Sequence, residues 1–471
     1  MHKQAFDRGS VDQYVEAVRQ QLGSGALSEV TARAAAQIPG AGDPAAKVSA
    51  ALPRVDAAGP PAASAEPGIR APVPASAPPS SGGEQGGPVP YLSRDPAVSL
   101  VQSAVESALH ERGVPADVPE GGGLWERIVR LIQGLLHPGN FSPSDPDWVI
   151  KIAESMLEHL AKGNHPFNLR PAEHPISDTA RLVVVGDWGT GLPRAQTVAK
   201  YMAEEVAEAL AQGRQAHVIH LGDVYYSGLA SEVQRHVLAY WPVTQVQAGS
   251  GVTSWSLNGN HDMYSGGFGY FDTLLGDPRF AAQHSADGAA TSFFRLTSPS
   301  WDFVGLDTSW DADVLWQGAS AVLQDPQADF VASVARDSSR KLVLLSHHQL
   351  VTAYDHADIG TVLPGKLGPV LDSGRVTAWW WGHEHRCMTF KASRGVPFPR
   401  CVGHGGVPVL QVYTGGEQVP APGSWEPSGF LDQGGQHWAR FGFTVLDLAA
   451  DRMHVRYRDE TGAQVHAEDI A

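Results

Sequence analysis

With a net charge of −16 over 471 residues, the chain lacks the basic face that a general binder of nucleic-acid duplexes needs to displace counterions. Nucleotides stay open as small substrates, because bound cations would reverse the field at a site. No run of about 18 apolar residues occurs, so no membrane span is expected, and the start Met1-His2-Lys3-Gln4 shows no apolar leader core, which gives the cytoplasm as the expected compartment.

Residues 1–37 read as a helical segment, with Ser10 as N-cap and Val11, Tyr14, Val15 and Val18 on one face. Residues 38–92 turn to Pro, Ala, Gly and Ser and read as a disordered linker, since such a composition buries too little apolar surface to offset its ordering entropy. Helical periodicity returns over 93–172, where Val98, Val101, Val105 and Leu109 share a face and Trp125, Ile128, Leu131, Ile132 and Leu135 follow a 3.6-residue period. No chemistry is demanded by this region, and a protein partner for it is open.

The fourth region, 180–470, alternates apolar runs with helical patterns. Strands are expected at 182–185, 217–221, 342–345 and 376–381, with a weaker one at 255–257. Helices are expected near 195–212, 231–240 and 327–336, a hairpin over 291–307, and a terminal hairpin over 441–457. The expected fold is α/β (α+β), a mixed β-sandwich flanked by helices. Cys387 and Cys401 are the two cysteines and exclude a disulfide framework, but leave a single pairing open.

Each of the five strands leads into a short polar loop: Gly186-Asp187-Trp188-Gly189, Gly222-Asp223-Val224-Tyr225-Tyr226, Gly259-Asn260-His261-Asp262, Ser346-His347-His348 and Gly382-His383-Glu384-His385. Taken singly, each is a capped turn or a solvated histidine pair. As a set at strand exits, where α/β sheets collect their ligands, they point to one shared site. Asp and Asn supply oxygen and neutral His supplies nitrogen, which together suit first-row metal ions. A carboxylate such as Asp223 can bridge two of them. By contrast Trp379-Trp380-Trp381 reads as strand core, and His404 as an exposed residue of a glycine-rich turn.

The series GDWG, GDxxY, GNHD, a strand ending in His, and GHxH resembles the calcineurin-like metallophosphoesterases over residues 180–412, and more narrowly their purple acid phosphatase-like branch. Gly189 stands where many relatives carry a ligand histidine, and Tyr226 stands three residues after Asp223, at the position of that branch's tyrosinate. The resemblance implies two metal ions, iron plus a divalent Fe, Zn or Mn. The first would be held by Asp187, Asp223, Tyr226 and His385, the second by Asp223, Asn260, His347 and His383. It further implies that His261 faces the substrate, that His356 is a second such histidine, and that Asp262 orients His261; His348 is then a supporting residue. Gln349-Leu350 departs from the family pattern, which has a proline there.

The expected function is hydrolysis of a small phosphate ester, most simply a monoester, by metal-bound hydroxide. A phosphodiesterase acting on cyclic nucleotides or other diesters is the enzymatic alternative. A non-catalytic scaffold on the same fold is the alternative of another class.

Overall fold

The structure is a computed structural model that describes residues 92, 94, 99, 100, 102, 103, 106, 163–311, 321–354, 362–415, 418–433 and 436–471. The helical segment 1–37, the linker up to residue 91, most of the helical patterns within 93–162, and His356 lie outside the described residues. Ser99, Leu100, Gln102, Ser103 and Glu106 are helical, as expected for that region. Residues 163–171 are not helical, and Ala172–Pro175 is a strand, β1, that pairs in parallel with residues 294–297.

Two sheets face each other. The smaller holds β2 (Arg181–Val185), β3 (Ala216–His220), β4 (Val252–Ser256), β14 (Gly442–Leu448), β15 (Met453–Asp459) and β16 (Gln464–Ile470), in the order β16-β15-β14-β2-β3-β4. The larger runs β1-β5-β6-β7-β8-β10-β9-β11, with β5 (Phe294–Thr297), β6 (Trp301–Leu306), β7 (Lys341–Ser346), β8 (Val376–Trp381), β9 (Cys387–Phe390), β10 (Phe398–Val402) and β11 (Gly423–Trp425). A separate hairpin joins β12 (Phe430–Gln433) to β13 (Gln436–Ala439). β2, β3 and β4 are parallel, as are β6, β7 and β8. Buried on both faces, such strands read as unbroken apolar runs like Leu182-Val183-Val184-Val185, every residue of which is buried.

Leu182, Val184, Ile219, Leu221 and Trp255 of the smaller sheet pack between the layers on Leu296, Phe303, Val343, Leu345 and Trp380 of the larger. The alternate residues Val183, Val185 and Val218 face outward and are covered by α1 (Pro193–Ala211) through Val198, Met202 and Val206. Pro193 opens that helix where no amide hydrogen bond is lost. On the far side, Leu344, Trp379 and Trp381 are covered by α2 (Asp325–Asp337) and α3 (Val362–Asp372) through Val331, Val334, Leu363 and Leu367. The result is the expected sandwich flanked by helices. Cys387 opposes Val402 and Cys401 opposes Met388 across β9 and β10, which sends the two thiols to opposite faces of one sheet; both are free.

Behind the smaller sheet, Glu205 of α1 is 1% exposed and accepts from Arg181 at 2.8 Å and Arg456 at 2.7 Å, with Arg458 also paired to it. Burial opposes the charge, but the three guanidinium groups outweigh it and hold the carboxyl below its usual range. Glu205→Ala removes a carboxylate shared by three arginines, of which Arg181 and Arg456 keep Asp447 and Arg458 keeps the Gly462 carbonyl, and should destabilise the fold by about 1–3 kcal/mol, measured by urea unfolding. The contribution of this carboxylate is present above its ordinary value of 4.5 and is lost as pH falls through the lowered native value, so the gap between wild type and variant should close in acid.

Candidate metal centre

The carboxyl ends of β2, β3 and β4 meet those of β7 and β8 at one edge of the sandwich, and the five polar loops leave there. They are stitched together by backbone. The His383 amide donates to Asp187 Oδ2 at 2.7 Å, the His261 amide to Asp223 Oδ1 at 2.9 Å, and the Gly382 amide to the His347 carbonyl at 3.1 Å. Of the five non-glycine residues with positive φ among those described, four are Asp187 (53°), Asp223 (76°), His383 (66°) and His385 (55°). Left-handed backbone is costly for such residues and persists where the surroundings impose it, which is a frequent property of functional sites. Gly259 has a steric reason as well, for a Cβ there would lie 1.9 Å from Asp223 Oδ1.

Two groups of side chains converge, and Asp223 belongs to both: Asp223, His347 and His383 in one, Asp187, Asp223 and His385 in the other. Asn260 joins the first. Its Nδ2 donates to Tyr264 Oη at 2.6 Å, which turns Oδ1 toward His347 Nε2 and His383 Nδ1, each 3.0 Å away. His347 Nδ1 donates to the Leu221 carbonyl at 3.0 Å, so Nε2 carries a lone pair. A lone pair on nitrogen thus faces a lone pair on oxygen, inside the protein, with no proton between them. A cation resolves that contact, and atoms bound to one ion at about 2.1 Å and at right angles sit about 3 Å apart.

The second group gathers around one hydroxyl. Tyr225 Oη lies 2.9 Å from Asp223 Oδ2, 2.9 Å from His385 Nε2 and 3.3 Å from Asp187 Oδ1, and has one hydrogen for the three. Burial pushes the Asp187 carboxyl well above its usual range, and the Asp223 charge adds to this. Burial also pushes the Tyr225 phenol far up, with Asp223 and Asp187 reinforcing it. His383 and His385 are held well below the ordinary histidine value, first by burial and then by the positive charge of Arg94, and so stay neutral as metal ligands require. The donor set fits two cations sharing Asp223.

Six of the seven expected ligands therefore come together: Asp187, Asp223, Asn260, His347, His383 and His385. Tyr226 does not. Its phenol lies in the field of Glu106 and Glu232, while Tyr225 takes the place among the carboxylates. Asp262 also differs from expectation. Its Oδ2 accepts from the amides of Gly259 at 2.7 Å and Asp223 at 3.0 Å, so it braces two ligand loops instead of orienting the His261 ring. That ring is held by the Tyr226 carbonyl, 2.6 Å from Nδ1, which leaves Nε2 buried and without a partner. His348 packs its ring 4.6 Å from that of His383 and hydrogen-bonds to Thr308 through Nδ1 at 2.9 Å. His404 is buried, not exposed, and burial lowers it to about 4.

Tyr264 and Arg94 escaped the sequence reading. Tyr264 stands one helical turn after Asn260, a spacing that could have flagged it. Arg94 carries no such signal.

No helix among the described residues is long and apolar enough to cross a membrane. Residues 180–387 match the family described as calcineurin-like phosphoesterase. Tartrate-resistant acid phosphatase type 5 of Oryctolagus cuniculus is 24% identical over 328 residues, covering 63% of this chain and 93% of that protein. Among solved structures, a dimetal phosphatase from Danio rerio is 16% identical with a TM-score of 0.41, covering 62% of this chain and 99% of that one. GAP50 of Plasmodium, described as the anchor in the inner membrane complex, is 11% identical with a TM-score of 0.40, over 62% of this chain and 88% of that one. Over residues 180–387 the chain is similar to the calcineurin-like phosphoesterases, hydrolases that act on phosphate esters.

Proposed function

We propose that this protein is a phosphomonoesterase of the purple acid phosphatase-like branch with a dinuclear centre. The observation that carries the reading is the sharing of Asp223 by two buried donor clusters. Asp187, Asp223, Tyr225 and His385 would hold the first ion, iron in this reading, and Asp223, Asn260, His347 and His383 a divalent Fe, Zn or Mn. Two such ions would lower the pKa of a bound water and offset negative charge on the phosphoryl oxygens.

The protein's own groups do the rest. His261 is anchored through Nδ1 on the Tyr226 carbonyl, and its free Nε2 is the atom that would carry a proton to the leaving oxygen. Burial keeps the empty ring neutral, while Asp223 and the Tyr226 carbonyl favour its charged form. An arriving phosphate dianion would add to them and load Nε2. Asp262 keeps the Asp223 and Asn260 loops in register by binding the amides of both.

The test is hydrolysis of a chromogenic aryl phosphate monoester against the matching diester by metal-loaded protein. Turnover of the monoester well above that of the diester is expected. Turnover of the diester alone would move the protein to the phosphodiesterases, and no turnover of either by protein shown to hold both ions would overturn the reading.

A further inference from the structure

Arg94 lies far upstream of the five loops, yet it reaches the centre from two directions. Its guanidinium donates to the carbonyl of His383, 289 positions further on. Its own carbonyl accepts from Tyr264 Oη at 2.6 Å, and the same Oη accepts from Asn260. Arg94 is thus tied to two candidate ligands of one ion, by side chain on one side and by backbone on the other.

The segment that follows is fastened to the loop of the other ion. Ser103 Oγ donates to Glu232 Oε1 at 2.7 Å, and the Glu232 carboxylate collects the amides of Tyr226, Ser227 and Leu229. Glu106 Oε1 pairs with His236 Nε2 at 2.7 Å, and His236 Nδ1 donates to the Tyr225 carbonyl at 2.7 Å. Ser103 and Glu106 thus sit against the Tyr225 loop, while the bonds of Arg94 itself tie it to His383 and, through Tyr264, to Asn260.

A fixed positive charge beside two cations is unfavourable until an anion lies among the three, and the gain grows with the anion's charge. A guanidinium also presents a flat fork of donors that matches phosphate oxygens. We infer that Arg94 is a substrate-binding residue that grips a phosphoryl oxygen and favours monoester dianions over diester monoanions. This rests on the phosphatase reading and names the residue that would set its substrate class.

The experiment compares full-length, metal-loaded wild type with Arg94→Ala and Arg94→Lys. Orthophosphate binding is followed by calorimetry, metal content by elemental analysis, and kcat/KM for an aryl monoester and its diester by absorbance. In Arg94→Ala, phosphate affinity and monoester kcat/KM should each fall by about 10- to 100-fold, a range set by hydrogen bonds to charged groups. Diester turnover should fall less, Arg94→Lys should recover part of the loss, and both ions should remain. Unchanged or tighter phosphate binding in Arg94→Ala would overturn the inference, the second because the guanidinium would then be blocking the site. Loss of metal would overturn it too, by making Arg94 a brace of the ligands.

The two readings fail separately. Arg94-dependent phosphate binding without ester hydrolysis would sink the phosphatase and keep the anion site. Hydrolysis that needs Asp223, with phosphate affinity indifferent to Arg94, would do the reverse. A wild type that binds no phosphate would sink the inference outright.

Discussion

Asp223→Asn should release both metal ions and lower ester hydrolysis by about 10³-fold or more, the scale of losing a preorganised charge at the reacting centre. Asp223 Oδ1 accepts the His261 amide at 2.9 Å and lies 3.4 Å from His347 Nε2, while Oδ2 accepts the Tyr225 hydroxyl at 2.9 Å. Each oxygen therefore serves a different cluster. An amide can keep its oxygen only on the His261 side, because an NH2 there would oppose the peptide N–H; the other cluster then loses an oxygen and both lose the charge. Elemental analysis that still finds two ions per chain would refute the bridge.

The same variant separates metal loss from unfolding. Without metal, burial and the neighbouring Asp223 charge together push the Asp187 carboxyl far up, so the apo site is a pair of buried carboxylates that resist joint ionisation. Removing one charge relieves that repulsion. Metal-free Asp223→Asn should melt no lower than metal-free wild type, whereas the metal-loaded wild type alone should gain stability from added metal.

Legibility in the sequence followed burial. Strands β2, β3, β7 and β8 are apolar runs because parallel strands are covered on both faces, and their expected ends agree with the observed ones to within a residue or so. β16, Gln464–Ile470, went unread because it is a polar edge strand whose residues are mostly exposed or half-buried, so it has no apolar alternation to notice. β1 lies almost wholly between the expected regions, with only Ala172 inside the helical one, since Ala172-Glu173-His174-Pro175 has no strand signature and is held by its partner β5.

For the candidate site, the residue types and order gave six converging side chains, because strand exits place whatever follows them at the sheet edge. Orientation within a loop was another matter. Asp262 follows His261 directly, and adjacency suggested contact between them; the carboxylate instead turns back to the Gly259 and Asp223 amides, which a loop leaving a strand exposes as unpaired donors. Arg94 was illegible for a different reason. Its place depends on a long-range contact between a segment before the sandwich and the loop that follows β8, and no local pattern encodes that.

The adjacent tyrosines show the same limit, and they supply the second large effect. In iron-loaded protein, Tyr225→Phe should abolish any visible tyrosinate-to-iron charge-transfer band, while Tyr226→Phe should leave it in place. Counting three residues from Asp223 selects Tyr226, but the structure turns Tyr225 Oη toward Asp187, Asp223 and His385 and gives the Tyr226 carbonyl to His261. Before metal arrives, burial and then the two carboxylates hold the Tyr225 phenol protonated, so an incoming cation must displace that proton. Iron loading should accordingly release one proton fewer in Tyr225→Phe than in wild type or Tyr226→Phe, read by calorimetry in buffers of different ionisation enthalpy. The metal-free Tyr225→Phe variant should also lose about 1–3 kcal/mol of stability, because two buried carboxyl groups lose their shared donor. A band that survives Tyr225→Phe and vanishes in Tyr226→Phe would return the ligand to position 226. That result would require the loop to rotate on metal binding, exchanging which ring faces the carboxylates and releasing His261 Nδ1 from its carbonyl.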